Sequence, residues 1–459
     1  MSGSLSRPGG RGYDPRALLY NPRFAGQTSP QAIAHCASTA DVAACVRFAA
    51  DDGAPLRIRN GGHSYGGWSS GPGLVVDLGA MTAIRIDRAA KTATIAAGAR
   101  LADVYTQLGT AAVSIGGGSC PTVGITGLTL GGGVGVLARS YGLTCDQVHS
   151  FGVVTADGRL RTVDAQTDAN LFWALRGGGG SFAAVTALTF DVRPAPTIHR
   201  FFLQWNWSAA AEVLDAWQHW SPQTPRELWS TCKLLASPGK GARPSVSGTW
   251  AGSGTPDTQL SKLLKGLPKP TTNFRTGGVS YLETMLAEAG CSGDSAQVCI
   301  TDALKPANRY PFAASSSIVA KAMPSAAVTA IVDAVQAGLD IATMVEGGVS
   351  FDSLGGAVGD AHVGDTAFPW RTALADVQYT AAWRYADATK DPAPYNGYVQ
   401  RQRSALEPWL GNSAYVNYAD ATLKDYPTAY WGPNLTRLRE VKKTYDPRDV
   451  FSFPQAVPL

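Results

Sequence analysis

The stretch Arg59-Asn60-Gly61-Gly62-His63-Ser64-Tyr65-Gly66-Gly67 decides how this chain is read. It follows Pro55-Leu56-Arg57-Ile58-Arg59, whose alternation predicts a strand. Upstream, Ser38-Thr39-Ala40-Asp41 has the form of a helix N-cap, and Val42, Cys45, Val46 and Ala49 keep helical spacing behind it. Strand, helix and strand over 31–60 thus deliver a glycine loop at a strand end. Successive glycines expose backbone N–H groups, which can form a nest for a diphosphate. A histidine inside that loop stands against whatever the loop binds. Taken alone, the loop is equally compatible with a structural histidine in a tight turn.

A second cluster runs Gly116-Gly117-Gly118-Ser119-Cys120-Pro121-Thr122-Val123-Gly124, followed by Gly131-Gly132-Gly133-Val134-Gly135. Val136 stands where the third glycine of a dinucleotide fingerprint would be, which disfavours a Rossmann unit. Cys120 precedes a proline and is expected to be extended. Farther on, Phe151–Thr155 followed by Ala156-Asp157-Gly158 predicts a strand and a hairpin turn.

The chain has 459 residues, 45% of them hydrophobic and 16% charged, with 51 glycines and a formal charge of +4. One core rarely grows beyond roughly 250–300 residues, so at least two folding units are expected. High apolar content excludes a disordered chain, and the small net charge without basic runs argues against nucleic acid. No run of about 18 apolar residues predicts a membrane-spanning helix. Seven cysteines is an odd number, and no Cys-x-x-Cys points to structural zinc. Cys291 and Cys299 flank a short polar loop and could close a disulfide or remain thiols. The polar N-terminus is compatible with a cytoplasmic protein or with one whose export signal has been replaced.

Together the two clusters change what the chain resembles. His63 in R-N-G-G-H-S-Y and Cys120 in S-C-P-T-V-G resemble the berberine bridge enzyme-like flavoprotein oxidases. The resemblance continues through Tyr141–Asp146, Leu171–Gly180 and Ala367-Phe368-Pro369. It ends with Tyr415–Asp420, Tyr430-Trp431-Gly432 and Asp446-Pro447-x-x-Val450-Phe451, and so spans nearly the whole chain. Four positions depart from the family pattern: Trp370, Ser181, Ala183 and Leu128.

The resemblance implies an α+β protein with the two-subdomain FAD-binding fold of the vanillyl-alcohol-oxidase type. The FAD domain would cover about 1–195, with 412–459 returning to it. A substrate domain with an antiparallel sheet and helices would fill 196–411. It also implies FAD tethered twice, as an 8α-histidyl bond at His63 and a 6-S-cysteinyl bond at Cys120. A neutral imidazole and a thiolate are suitable nucleophiles toward an electrophilic ring. Further flavin contacts are assigned to Arg59, Asn60, Gly61, Gly62, Ser64, Val123, Gly124, Thr126 and Gly127. Gly132, Gly135, Gly142, Val153, Tyr415 and Asn417 complete that set.

The implied reaction takes a small-molecule substrate and O2: a hydroxyl or hemiacetal carbon of a saccharide or glycosylated natural product gives up hydride, and peroxide leaves. Oxidative cyclisation or dehydrogenation of a natural product is the alternative. Tyr415-Val416-Asn417-Tyr418 alternates like a strand, and by resemblance Tyr418 is the base. A phenolate at neutral pH needs about three units of depression, so a cation or donors should stand nearby. Leu374–Thr380 also alternates, placing Asp376 and Gln378 on one face. By resemblance that face looks into the substrate pocket, where Gln378 would donate to Tyr418 or substrate and Asp376 would bind a hydroxyl. By resemblance, Val123, three residues after Cys120, is small enough to leave oxygen access, which favours an oxidase.

Overall fold

The structure, a computed structural model, describes residues 2–27, 29–387 and 391–459. Its N-terminal part is built on two small sheets. In the first, Ala32–His35 and Leu56–Arg59 both run parallel to Leu74–Asp77, which lies between them, and Ser4–Ser6 is added antiparallel at the edge. The helix Thr39–Asp52 makes the crossover. Its start follows from local chemistry: Ser38 accepts from Asp41 N, and the Asp41 carboxylate accepts from Ser38 N, closing a capping box. The helix buries Val42, Cys45, Val46 and Ala49 against this sheet, as the spacing predicts.

The second sheet is antiparallel, in the order Ile84–Asp87, Thr92–Ala96, Ala184–Asp191, Val148–Val154, Leu160–Val163. The expected hairpin at Asp157-Gly158 joins its last two strands. The helix Leu101–Thr110 packs within the same core.

Residues 197–383 supply an eight-stranded sheet whose every pairing is antiparallel. Alternation divides it cleanly. Leu228, Cys232, Leu234, Val349, Phe351, Val377 and Tyr379 face the helices Ala210–Trp220, Ser325–Gln336 and Ala393–Leu410. The opposite face carries Trp229, Thr231, Lys233, Ser247, Ser350, Asp352 and Gln378, and all of them line a cavity. Of the polar stripe on Leu374–Thr380, Gln378 therefore stands on a cavity wall and not on an outer surface.

The C-terminal segment returns to the N-terminal part. Lys442, fully buried, donates to the Ser181 carbonyl and pairs with Asp446 at 2.6 Å. Asp446 also accepts from Val450 N and Phe451 N, so the Asp-Pro motif near the end is an anchor. Removing one partner of such a buried pair typically costs about 3–5 kcal/mol. Cys291 and Cys299 form a disulfide. No helix among the described residues is long and apolar enough to cross a membrane.

Candidate active site

The two glycine clusters meet. A Cβ on Gly61 would overlap the Gly124 backbone nitrogen, and one on Gly124 would strike the Asn60 side chain, so only glycine permits this approach. The contact brings His63 and Cys120 to one cavity of about 550 Å³. Asn60, Gly61, Gly62, Ser64 and Val123 line it, as do Gly124, Thr126, Gly127 and Gly135. Both polar atoms of the buried Asn60 amide lack a protein partner, which suits a polar cofactor lying in the cleft. Arg59, Gly132, Gly142 and Val153 stand off the cavity wall. Arg59 is spent on the Leu18 carbonyl and an ion pair with Asp77 at 2.7 Å, which fixes the strand end that carries the loop.

His63 is held from two sides. Its Nε2 lies 2.8 Å from the Thr122 hydroxyl, and Tyr20 stacks on the ring with centroids 3.9 Å apart. Burial, then the charges of Arg100 and Arg59, push its pKa down to about 3. The imidazole is therefore neutral over the ordinary pH range. Cys120 is reachable from the cavity, but desolvation by the surrounding walls raises its thiol, and Lys233 pulls it partly back.

The segment Val416–Tyr418 is a 3-10 turn, not the expected strand. Tyr418 N bonds to the Tyr415 carbonyl at 2.9 Å, and the side chains are anchored elsewhere. The Tyr415 hydroxyl accepts from Gly133 N and Val134 N, and Asn417 donates to the Leu128 carbonyl. These tertiary bonds outweigh the alternation pattern. Tyr415, Asn417 and Tyr418 still reach the cavity.

Among the described residues, the charged groups that act on Tyr418 include no cation. Burial first, then the carboxyls of Asp376 and Asp352, hold its pKa well above the usual 10. The expected phenolate-stabilising partner is replaced by acids. Asp376 is not a substrate contact either: it is 1% exposed, off the cavity wall, and neither carboxyl oxygen has a hydrogen-bond partner. The carboxyl of this row that lines the cavity is Asp352, directly opposite Asp376 in the strand register. Burial raises both, Asp376 the more strongly. Gln378 donates to the Tyr65 hydroxyl at 2.6 Å and not to Tyr418. Tyr65 in turn stacks on Tyr418, centroids 5.4 Å apart.

A pair of nucleophiles in glycine frames, with a half-buried tyrosine and carboxyl across the cavity, suits a flavin over which a substrate hydroxyl is deprotonated. Comparison with known proteins decides the family. An FAD-linked oxidoreductase of Bacillus subtilis, YgaK, is 34% identical over 94% of this chain and 91% of its own length. The chain belongs to the berberine bridge enzyme-like flavoproteins.

Two family descriptions match this berberine bridge enzyme-like protein: FAD binding domain over residues 30–164, and Berberine and berberine like over 414–458. Glucooligosaccharide oxidase of Sarocladium strictum is 31% identical over 96% of the chain and 89% of its own length. A solved chitooligosaccharide oxidase superposes with a TM-score of 0.89 at 26% identity, covering 99% of this chain and 97% of that one. The protein is an FAD-dependent oxidoreductase with the α+β flavin-binding fold of the vanillyl-alcohol-oxidase type.

Proposed function

We propose that this protein is a saccharide oxidase that holds its flavin by two covalent bonds, to His63 and Cys120. The observation that carries this reading is their convergence on one cavity whose far wall is the polar sheet face with Tyr418. Relatives named as glucooligosaccharide and chitooligosaccharide oxidases support the substrate class. Flavin, when bound, supplies the hydride acceptor and passes the electrons to O2, which leaves as hydrogen peroxide.

The chain's own residues do the rest. With Nε2 engaged by Thr122, Nδ1 is the ring nitrogen of His63 left for attachment. The neutral imidazole keeps that lone pair available, and Lys233 favours the thiolate of Cys120. Across the cavity, the Tyr418 oxygen receives the substrate hydroxyl proton. Because its surroundings disfavour a phenolate, Tyr418 gives up its own proton to Asp352 in the same event. Asp376, buried without partners, keeps its proton and so leaves Asp352 to carry the exchange. Gln378 holds Tyr65 flat against Tyr418 and so fixes the plane of the ring.

Acid denaturation tests the tether. Colour that stays with the precipitated protein, lost only in a His63→Ala/Cys120→Ala double variant, supports it; full release from the parent contradicts it. A panel of neutral oligosaccharides assayed for peroxide tests the reaction. Turnover only with an elaborate metabolite would favour natural-product tailoring instead.

A further inference from the structure

The sheet wall of the cavity presents side chains in rows. One row runs Ser245, Lys233, Ser350, Gln378 across four strands, and the next runs Ser247, Thr231, Asp352, Asp376. Two permanent cations line the cavity, Arg57 and Lys233. Arg57 is engaged by the carbonyls of Leu56 and Ser452. Among the described residues, Lys233 makes neither a side-chain hydrogen bond nor an ion pair. Of the two carboxyls on the wall, Glu288 is paired with Arg200 at 2.9 Å. Asp352 sits one row away, opposite Thr231, where the Lys233 charge acts on it without a direct ion pair.

An ammonium on the floor of a substrate cavity, near hydroxyls and in direct ion-pair contact with no described protein anion, is a ready anion contact. Ser350, directly opposite it, and Ser247, diagonal to it on the other neighbouring strand, line the cavity and can add hydrogen bonds. Charge-assisted hydrogen bonds of this kind are about twice as strong as neutral ones. Neighbouring strands lie about 4.8 Å apart, so Lys233 stands about 10 Å across the sheet from Gln378. Gln378 marks the reacting end through Tyr65 and Tyr418. The ammonium therefore addresses a part of the substrate beyond the ring being oxidised.

We propose that Lys233, with Ser247 and Ser350, is a subsite for a carboxylate, and that the preferred substrate is an acidic saccharide with a uronate ring next to the oxidised one. The proposal rests on the saccharide-oxidase function given above and names the substrate class for that site. It requires no new chemistry, because the uronate is bound and not transformed.

The test compares cellobiose with the disaccharide in which glucuronate replaces its non-reducing glucose. Binding is measured by anaerobic calorimetry on the holoenzyme with its flavin already reduced, so that no turnover follows, and KM by peroxide release. The acidic sugar is expected to bind about tenfold more tightly, as a charge-assisted contact allows. About 0.5 M salt should reduce that advantage, since a cavity open to solvent is screened. Lys233→Met should lose the preference and Lys233→Arg should keep most of it. The ratio of two affinities on one preparation does not depend on how much of it carries flavin, so an effect of Lys233 on Cys120 leaves the readout intact. Cellobiose bound or oxidised with no preference for the uronate overturns the subsite alone. A preference that survives in Lys233→Met does the same. Failure of both sugars to bind overturns the saccharide function and the subsite with it.

Discussion

The Thr122 hydroxyl and His63 Nε2 are 2.8 Å apart, so the loop that carries Cys120 also holds the histidine of the other loop. Thr122 is two residues from Cys120 and 1% exposed. One hydrogen bond thus joins the two proposed attachment points and selects which imidazole nitrogen faces the cavity.

Loss of that bond should be visible without turnover. In a Cys120→Ala background all covalent flavin reports on His63. Thr122→Val in that background should lower the fraction of protein that keeps flavin after denaturation by about two- to tenfold, the range of one hydrogen bond. Thr122→Ser should restore it. Equal retention in the valine and threonine proteins, read by intact mass, would remove Thr122 from the attachment.

The depressed pKa of His63 has a consequence for stability. Between its ordinary 6.5 and about 3, the unfolded chain binds a proton that the folded chain refuses. The stability contributed by the neutral buried imidazole is present above pH 6.5 and is lost as the pH falls toward 3. Flavin-free His63→Asn protein should therefore lose less Tm than the flavin-free parent between about pH 7 and about pH 4. A parallel loss in both would contradict the burial argument.

Tyr418→Phe keeps the ring and removes the oxygen. Flavin should stay bound, and anaerobic reduction by substrate should slow by about 10²–10⁴, the usual worth of a positioned base. The pH dependence should belong to the carboxyl and not to the phenol. Asp352 is raised by burial, so the reductive rate should climb with pH above the ordinary carboxylate range. Asp352→Asn should slow the step and flatten the profile. A parent profile that rises only near or above pH 10 would return the ionisation to Tyr418.

Val123 lines the cavity between Cys120 and Gly124. Val123→Leu adds bulk there and should slow reoxidation of reduced flavin in stopped-flow work, with little change in the reductive half-reaction. Equal reoxidation rates would move the oxygen path elsewhere.

The parts of the site legible in the sequence are those whose neighbours lie close along the chain. His63 and Cys120 stand out because glycines frame them, and the helix behind Ser38 is set by its own cap and spacing. Tyr65, Thr122, Lys233 and Asp352 escaped notice because each has its significance from a partner far away in sequence. Tyr65 matters through Gln378 and Tyr418, and Asp352 through its register with Asp376. Alternation in a predicted strand was a usable signal for the pocket face at Asp376 and Gln378. It could not tell which carboxyl of the row reaches the cavity. The same signal failed at Tyr415–Tyr418, where bonds from Gly133 N and Val134 N and a bond to the Leu128 carbonyl hold the side chains and a tight turn satisfies the backbone.

Anaerobic titration of the holoenzyme with an oligosaccharide, followed by admission of O2, tests the saccharide oxidase directly. The flavin absorbance should bleach with one equivalent of sugar per active site and return on oxygenation with one equivalent of hydrogen peroxide. The sugar should be recovered oxidised at a single hydroxyl-bearing carbon. An absorbance that no saccharide bleaches, or bleached enzyme that oxygen does not restore, would contradict it.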